Sequence, residues 1–393
     1  MRFVAIQMLM GDKAKYFGIL LGLTFASFLI TQQSSIFVGL MSRTFGFLSD
    51  TGGPDIWVMD PKVQFIDDIK PMQDTMLLRT RGVEGVAWAV PLYKGILRAR
   101  MADGMFQSCN VIGLDDASLA GGPPEMIEGS IEDLRRSEGV IVDVVGARTR
   151  LAKFARDADG NILPNAPKVP LTIGDTLELN DKRAVVVGIC RVSRTFQSQP
   201  VIYTTYSRAM GFAPRERKLL SFIIAKVTDG ADPREVCRRI TRETGLQAHT
   251  GWDFSWKTVM YFMKFTGIPI NFGISVTLGF LVGTAIAGQT FYNFTLDNLR
   301  HFGALKAMGA SNTRLLGMIL LQGLIVGLIG YGLGVGLAAF LGSSLSGKTE
   351  LAFRLLWQTL AISGAAVTAI CLLASLVSIQ KVIRLEPAVV FKG

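Results

Sequence analysis

The chain has 393 residues, of which 49% are hydrophobic and only 18% charged, with a mean hydropathy of +0.37. Soluble domains carry about 25% charged residues, so this composition argues against an ordinary water-soluble enzyme. The 41 basic residues outnumber the 31 acidic ones, but their placement along the chain follows membrane topology, and no nucleic-acid partner is expected. Two histidines and four scattered cysteines offer too little for a zinc site or a disulfide-dense scaffold.

The first fifteen residues place Phe3, Ile6, Met10 and Ala14 near one helical face, predicting a short amphipathic helix over 1–16 on the inner membrane surface. A first span follows over 17–42, uncharged from Phe17 to Ser42 and bracketed by Lys15 and Arg43. Its apolar run far exceeds the ~7–15 residues of a signal-peptide core, and no small-x-small cleavage site stands out after it. It reads as a retained anchor.

The segment 43–264 reads as a mixed α/β domain. Strands are expected at Asp55–Asp60, Gly139–Val145 and Pro200–Tyr206, with a helical run after Val145 through Leu151 and Phe154. Leu171–Ile189 reads as a strand pair turning at Asn180-Asp181. Asp157–Pro170 reads as a loop and Pro233–Gly245 as an amphipathic helix. Cys109, Cys190 and Cys237 fall in this domain, where an oxidising compartment permits one disulfide, but their spacing selects no pair.

Three further uncharged stretches are each long enough to span a bilayer, which takes ~20 apolar residues. They run over 265–296, 315–347 and 355–380, joined by a loop at 297–314 and a short connection at 348–354, and a tail follows at 381–393. The start, the 297–314 loop and the tail each carry a net charge of +2. The large domain is nearly balanced, with 30 basic and 27 acidic residues. Short loops rich in Lys and Arg stay in the cytoplasm. Both termini and the 297–314 loop are therefore expected inside, and the large domain outside.

Small residues at helix-packing spacing mark the spans: Gly18 with Gly22, Gly279 with Gly283, Gly323 with Gly327, and Gly332 with Gly336. No span has an ionisable residue in its interior, which speaks against ion-coupled transport. Gly342–Thr349 fits the phosphate-loop pattern G-x-x-x-x-G-K-[ST]. It follows a membrane span rather than a strand and faces the outside, so it is read as a chance match. His249 lies in the large domain and His301 in the inner loop, so they cannot share a site. Cys371, in the last span, reads as a small buried apolar residue.

The inner loop carries the most information. It has helical character from Leu296 to Met308, with Gly309 as the stop. Leu296, Leu299, Phe302, Leu305 and Met308 recur at three-residue steps, an apolar stripe on a cytoplasmic helix that needs a partner.

Ala304-Leu305-Lys306-Ala307-Met308-Gly309-Ala310 resembles the x-L-[KR]-A-[LM]-G-A pattern of MacB/FtsX-like permease subunits of ABC transporters. The plan of one span, a large outer domain and three further spans agrees with it. Val140-Ile-Val-Asp143, Gly174–Asn180 and Val185–Ile189 are also similar to family segments. His301 stands where many members carry an acidic residue. Asp297, Leu299, Phe302-Gly303 and Leu305–Gly309, with Asp55–Pro61, are most similar to the DevC-like exporter branch.

The resemblance implies an integral membrane α-helical protein with four transmembrane helices and a mixed α/β domain between helices one and two. It implies a bacterial inner-membrane permease, multi-pass and non-catalytic, acting as a homodimer with a separate cytoplasmic ATPase that binds ATP and magnesium. No cofactor is expected in this chain. The loop helix would be the coupling helix, with Leu299, Phe302, Leu305, Lys306, Met308 and Gly309 as its ATPase-coupling residues. Leu305 and Met308 would be apolar anchors and Lys306 would lie at the rim. Motion would pass to the periplasmic domain, which would work with an adaptor and an outer-membrane channel to expel a periplasmic or outer-leaflet substrate. The alternatives are an FtsX-like regulator of an extracytoplasmic hydrolase and a lipoprotein-releasing permease.

Overall fold

A computed structural model describes residues 7–8, 13–101, 104–155, 166–214, 220–348 and 351–383. Most of the expected N-terminal amphipathic face, most of the Asp157–Pro170 loop and the tail beyond Ile383 lie outside the described residues. The chain divides into two units: residues 1–40 with 266–393, and residues 41–265.

In chain order the elements are helix α1 (Lys13–Thr44), α2 (Gly46–Asp50), β1 (Ile56–Met59), α3 (Thr75–Arg81), β2 (Val86–Arg100) and β3 (Phe106–Leu114). There follow β4 (Glu125–Glu128), β5 (Gly139–Asp143), α4 (Val144–Arg148), β6 (Thr176–Leu179), β7 (Lys182–Arg191) and β8 (Val201–Thr205). The large domain closes with α5 (Tyr206–Phe212), β9 (Phe222–Val227), α6 (Pro233–Thr244), β10 (Gln247–Thr250) and α7 (Gly251–Phe265). The remaining helices are α8 (Ile268–Asp297), α9 (Leu299–Ala307), α10 (Asn312–Lys348) and α11 (Trp357–Ile383).

The domain of residues 41–265 is built on one mixed sheet in the order β10-β1-β9-β2-β3-β8-β5-β7-β4, with β6 bridging β2 and β7. Its organiser is β2. Residues 86–92 pair with β9 and residues 93–100 with β3, so one long strand joins two halves of the sheet. Pairings β3–β8 and β5–β7 are parallel, which demands crossovers and buries these strands on both faces. Strands β5 and β8 are accordingly buried at every position.

Local chemistry explains the expected elements. Asn180 and Asp181 both adopt positive φ, 49° and 62°, the backbone of a tight two-residue hairpin between β6 and β7. Helix α6 starts where the Asp232 carboxylate accepts the Arg234 amide and Pro233 sets the first turn, and it buries Val236, Cys237 and Ile240. The run expected through Leu151 and Phe154 is shorter than predicted. Helix α4 ends at Arg148, and Lys153 pairs as an isolated bridge with Val169. Cys109, Cys190 and Cys237 are buried and unbonded. Burial pushes the Cys237 thiol up to about 12, with Asp253 and Asp232 adding to the shift, so these cysteines serve as small core residues rather than as reactive thiols.

The other unit holds four helices long and apolar enough to cross a membrane, in α1, α8, α10 and α11. Its core joins Ile19, Leu23 and Ile30 of α1 to Phe291 and Phe294 of α8, Val326 of α10 and Ile370 of α11. Lys15 near the start of α1 forms an ion pair with Asp297 at the end of α8.

Glycines set several of the close approaches. A Cβ at Gly22 would fall 2.5 Å from Ile286, one at Gly279 3.3 Å from Leu29, and one at Gly283 would collide with Ala26. Gly323 faces Ser375 and Gly327 faces Cys371 in the same way, whereas Gly18 has only ordinary contact with Thr290.

The expectation that Gly332 and Gly336 pack a helix interface is corrected. Gly332 is exposed, and a Cβ there would meet nothing within 4 Å. Gly336 is likewise exposed, and a Cβ on Gly336 would also meet nothing within 4 Å, so it makes no helix contact within this chain. The tight pair on α10 is instead Gly330, against Leu23, and Gly334, against Ser27 and Thr24. Both pairs have the same four-residue spacing, and a shift of two positions turns a helix through about 200°. Gly332 and Gly336 therefore lie on the face of α10 turned away from α1.

A candidate coupling site between the second and third spans

Helix α8 ends at Asp297, where Asn298 caps it by donating from Nδ2 to the Phe294 carbonyl at 2.9 Å. The chain bends there and re-enters a nine-residue helix, α9. Gly309, at φ +92°, ends α9 in a conformation that a side chain would strain. The Ala310 amide then closes back on the Leu305 carbonyl at 3.0 Å, and α10 begins two residues later. The loop glycine expected as a helix stop thus has a backbone reason.

The predicted stripe does not form a single face. Steps of three residues fall short of the 3.6-residue turn, so each position slews about 60° round the axis. Phe302 turns fully into the chain's own core, packed with Leu315, Met318, Ile319 and Ile379. Leu299 and Leu305 flank that cluster half-buried. Met308 points away and is 76% exposed, with Leu296, Arg300 and His301 also exposed. Lys306 is half-buried and Gly309 exposed. Of the six residues named for this role, Phe302 therefore fastens α9 to its own bundle and offers nothing to an outside partner. The three-residue periodicity alone could not separate the anchor from the exposed end.

The phosphate-loop pattern takes no loop conformation. Gly342 through Lys348 continue helix α10, where amides are spent on intrahelical bonds and cannot cradle phosphate. Gly342 packs instead against the ring of Phe353. Thr349 lies outside the described residues.

His249 sits on β10, opposite Trp57 of β1, and its ring lies near-parallel to Phe254 at 6.3 Å.

Residues 17–243 match the family described as MacB-like periplasmic core domain. Residues 272–387 match the family described as FtsX-like permease C-terminal. An ABC transporter permease of Methanocaldococcus jannaschii, itself uncharacterized, is 28% identical over 178 residues, covering 43% of this chain and 44% of that protein. The macrolide export ATP-binding/permease protein MacB of Bordetella avium is 24% identical over 291 residues, covering 70% of this chain and 37% of that protein. The chain thus spans less than half the length of these curated relatives. Among solved structures, the periplasmic region of MacB from Actinobacillus actinomycetemcomitans is similar, at 15% identity and a TM-score of 0.35 over 52% of this chain and 92% of that one. One family match covers more than half of the chain and the other covers most of its C-terminal spans. The chain belongs to the MacB/FtsX-like permeases of ABC transporters, as a multi-pass membrane protein with a large mixed α/β periplasmic domain between its first span and the other three.

Proposed function

We propose that this chain is the non-catalytic membrane subunit of an ATP-driven exporter. It would act as a homodimer with a separate cytoplasmic ATPase that holds the ATP and magnesium. The observation that carries this reading is α9, a short helix fastened to its own spans by Phe302 while Met308 stands exposed beside it. An anchored helix with a free apolar tip suits a seat in a partner's groove, because a push on it would be transmitted into α10 and α11 through the Phe302 cluster. The excess of Lys and Arg in the short segments supports a cytoplasmic position for α9 and both termini. The uncharged spans offer no hydrophilic path, which favours transmitted motion over passage through the bundle.

The DevC-like resemblance adds a periplasmic adaptor and an outer-membrane channel, with the substrate taken from the periplasm or the outer leaflet. A tagged pull-down of the full chain from solubilised membranes tests the reading. An ATPase should co-purify together with an anchored adaptor, and Met308→Asp should lose the ATPase without loss of membrane insertion. Recovery of the ATPase at wild-type levels with Met308→Asp removes the coupling role from this helix. An ATPase accompanied by a cell-wall hydrolase instead of an adaptor turns the reading to an FtsX-like regulator.

A further inference from the structure

Four lysines ring an open groove at the foot of the large domain's last helix. Lys62 and Lys70 come from the segment after β1, and Lys257 and Lys264 from α7. The groove measures about 710 Å³, within the roughly 300–1,000 Å³ of small-molecule sites. Its remaining lining includes Met260, Tyr261 and Phe265. Tyr261 stacks on Phe65, with 4.4 Å between ring centroids and 22° between planes, and Phe262 packs edge-on against both. The apolar wall is therefore a packed aromatic cluster rather than a set of loose side chains.

The cations of this groove are incompletely neutralised. Lys257 is half-buried, and its ammonium donates to two neutral acceptors, the Val63 carbonyl at 2.5 Å and Gln247 Oε1 at 2.6 Å. Burial holds its pKa below the ordinary lysine value, with Asp68 opposing. Asp68 itself is committed to Lys70 at 2.8 Å, and Asp60 accepts the Lys62 backbone amide. Among the described residues, no ion pair involves Lys62, Lys257 or Lys264. A partly desolvated ammonium that shares its nearest carboxylate, Asp68, with Lys70 is incompletely compensated, and an anion entering the groove would relieve that cost.

In sequence, the edge of the groove adjoins a span. Phe265 is 72% exposed at its edge, and Ile268 opens the second span. Three residues reach at most ~10 Å. Trp256 and Met263 are also exposed on α7, and aromatic side chains beside a span suit the membrane interface.

We propose that this groove binds the phosphate-bearing headgroup of an anionic lipid in the leaflet that the large domain faces. The lysines take the phosphate, and Tyr261 and Phe265 take the glycerol and first acyl carbons. Charge alone would serve any soluble anion, but the apolar wall is useful only to an amphiphile. The proposal does not depend on export, on the ATPase or on which substrate is moved.

The test uses the full chain in a neutral detergent, titrated with short-chain phosphatidylglycerol, short-chain phosphatidylcholine and inorganic phosphate, with binding read by microscale thermophoresis. Phosphatidylglycerol should bind saturably and at least tenfold tighter than either of the others. A lysine beside an anionic lipid contributes about fivefold in affinity, so Lys257→Gln with Lys264→Gln should weaken phosphatidylglycerol binding by roughly 25-fold and leave phosphatidylcholine unchanged. Lys62→Gln, at an exposed position outside the packed core, should weaken it about fivefold and covers the case in which the double variant folds poorly. Equal binding of the two lipids, or unchanged affinity in Lys62→Gln, overturns the proposal. Inorganic phosphate binding as tightly as the lipid would make this a soluble-anion site and overturn it as well.

Discussion

Asp143 reaches across the sheet to Val201, whose amide donates to its Oδ1 at 2.7 Å, while its Oδ2 accepts the Gly146 amide, also at 2.7 Å. One buried carboxylate thus caps α4 and ties the end of β5 to the start of β8. The last residue of the family-like segment Val140–Asp143 is therefore a structural pin.

Asp143→Ala would strand two buried amides, at about 1–3 kcal/mol for each lost partner. The variant should unfold at markedly lower denaturant, followed through the fluorescence of the buried Trp57. Asp143→Asn keeps one acceptor and should lose about half as much. Equal losses in the two variants would mean that only one of the bonds matters.

The glycine geometry predicts a sharp contrast on one helix. Gly334→Leu drives a side chain into Ser27 and the Thr24 carbonyl, both 2.6 Å from the Cβ position. It should separate α1 from α10 and appear as aggregation on size-exclusion chromatography in detergent. Gly332→Leu and Gly336→Leu, each with nothing within 4 Å of the new Cβ, should elute like the parent chain.

Phe302 and Met308 lie six residues apart on the sequence and should behave as opposites. Phe302→Ala empties a fully buried site and should cost about 3–5 kcal/mol, lowering the melting temperature of the solubilised protein. Met308→Ala should leave the melting temperature unchanged and weaken only ATPase recovery. A melting shift with Met308→Ala would mean that its side chain supports the fold.

His249 supplies a pH dependence. Burial holds its pKa below the ordinary value of 6.5, and Lys257 adds to this while Asp253 opposes it. Its Nε2 is buried with no partner. The folded state keeps the ring neutral while the unfolded chain protonates below about 6.5, so stability falls as pH drops through that range. Melting curves between pH 7.5 and 5 should show this loss, and His249→Phe should flatten it. An unchanged slope in the variant would assign the effect to other groups.

Much of this protein's organisation is carried by local residue chemistry. Uncharged runs of more than twenty residues mark the spans because lipid tolerates neither charge nor unpaired backbone. The Asn180-Asp181 turn and the amphipathic helix over Pro233–Gly245 are legible because their chemistry is local. Strand β2 is harder to read: Pro91, Gly95 and the basic residues near its end mask a fifteen-residue strand whose stability comes from partners distant in sequence. Helix α7 is hidden by the same cause, since its buried Phe254 and Phe262 meet Trp57, Phe222, Phe65 and Phe196, all distant in sequence.

Composition and the placement of charge alone determined that this chain crosses the membrane and that one large domain lies between its first span and the other three. These properties depend on residue chemistry summed over a window. Tertiary structure decided that Gly330 and Gly334, rather than Gly332 and Gly336, meet another helix. It also decided which member of the Leu296–Met308 series is an anchor, and how four lysines come to share one groove. Each of those depends on the rotation of a helix or the meeting of segments some two hundred residues apart, and a side chain's neighbours there are chosen by packing rather than by the residues beside it.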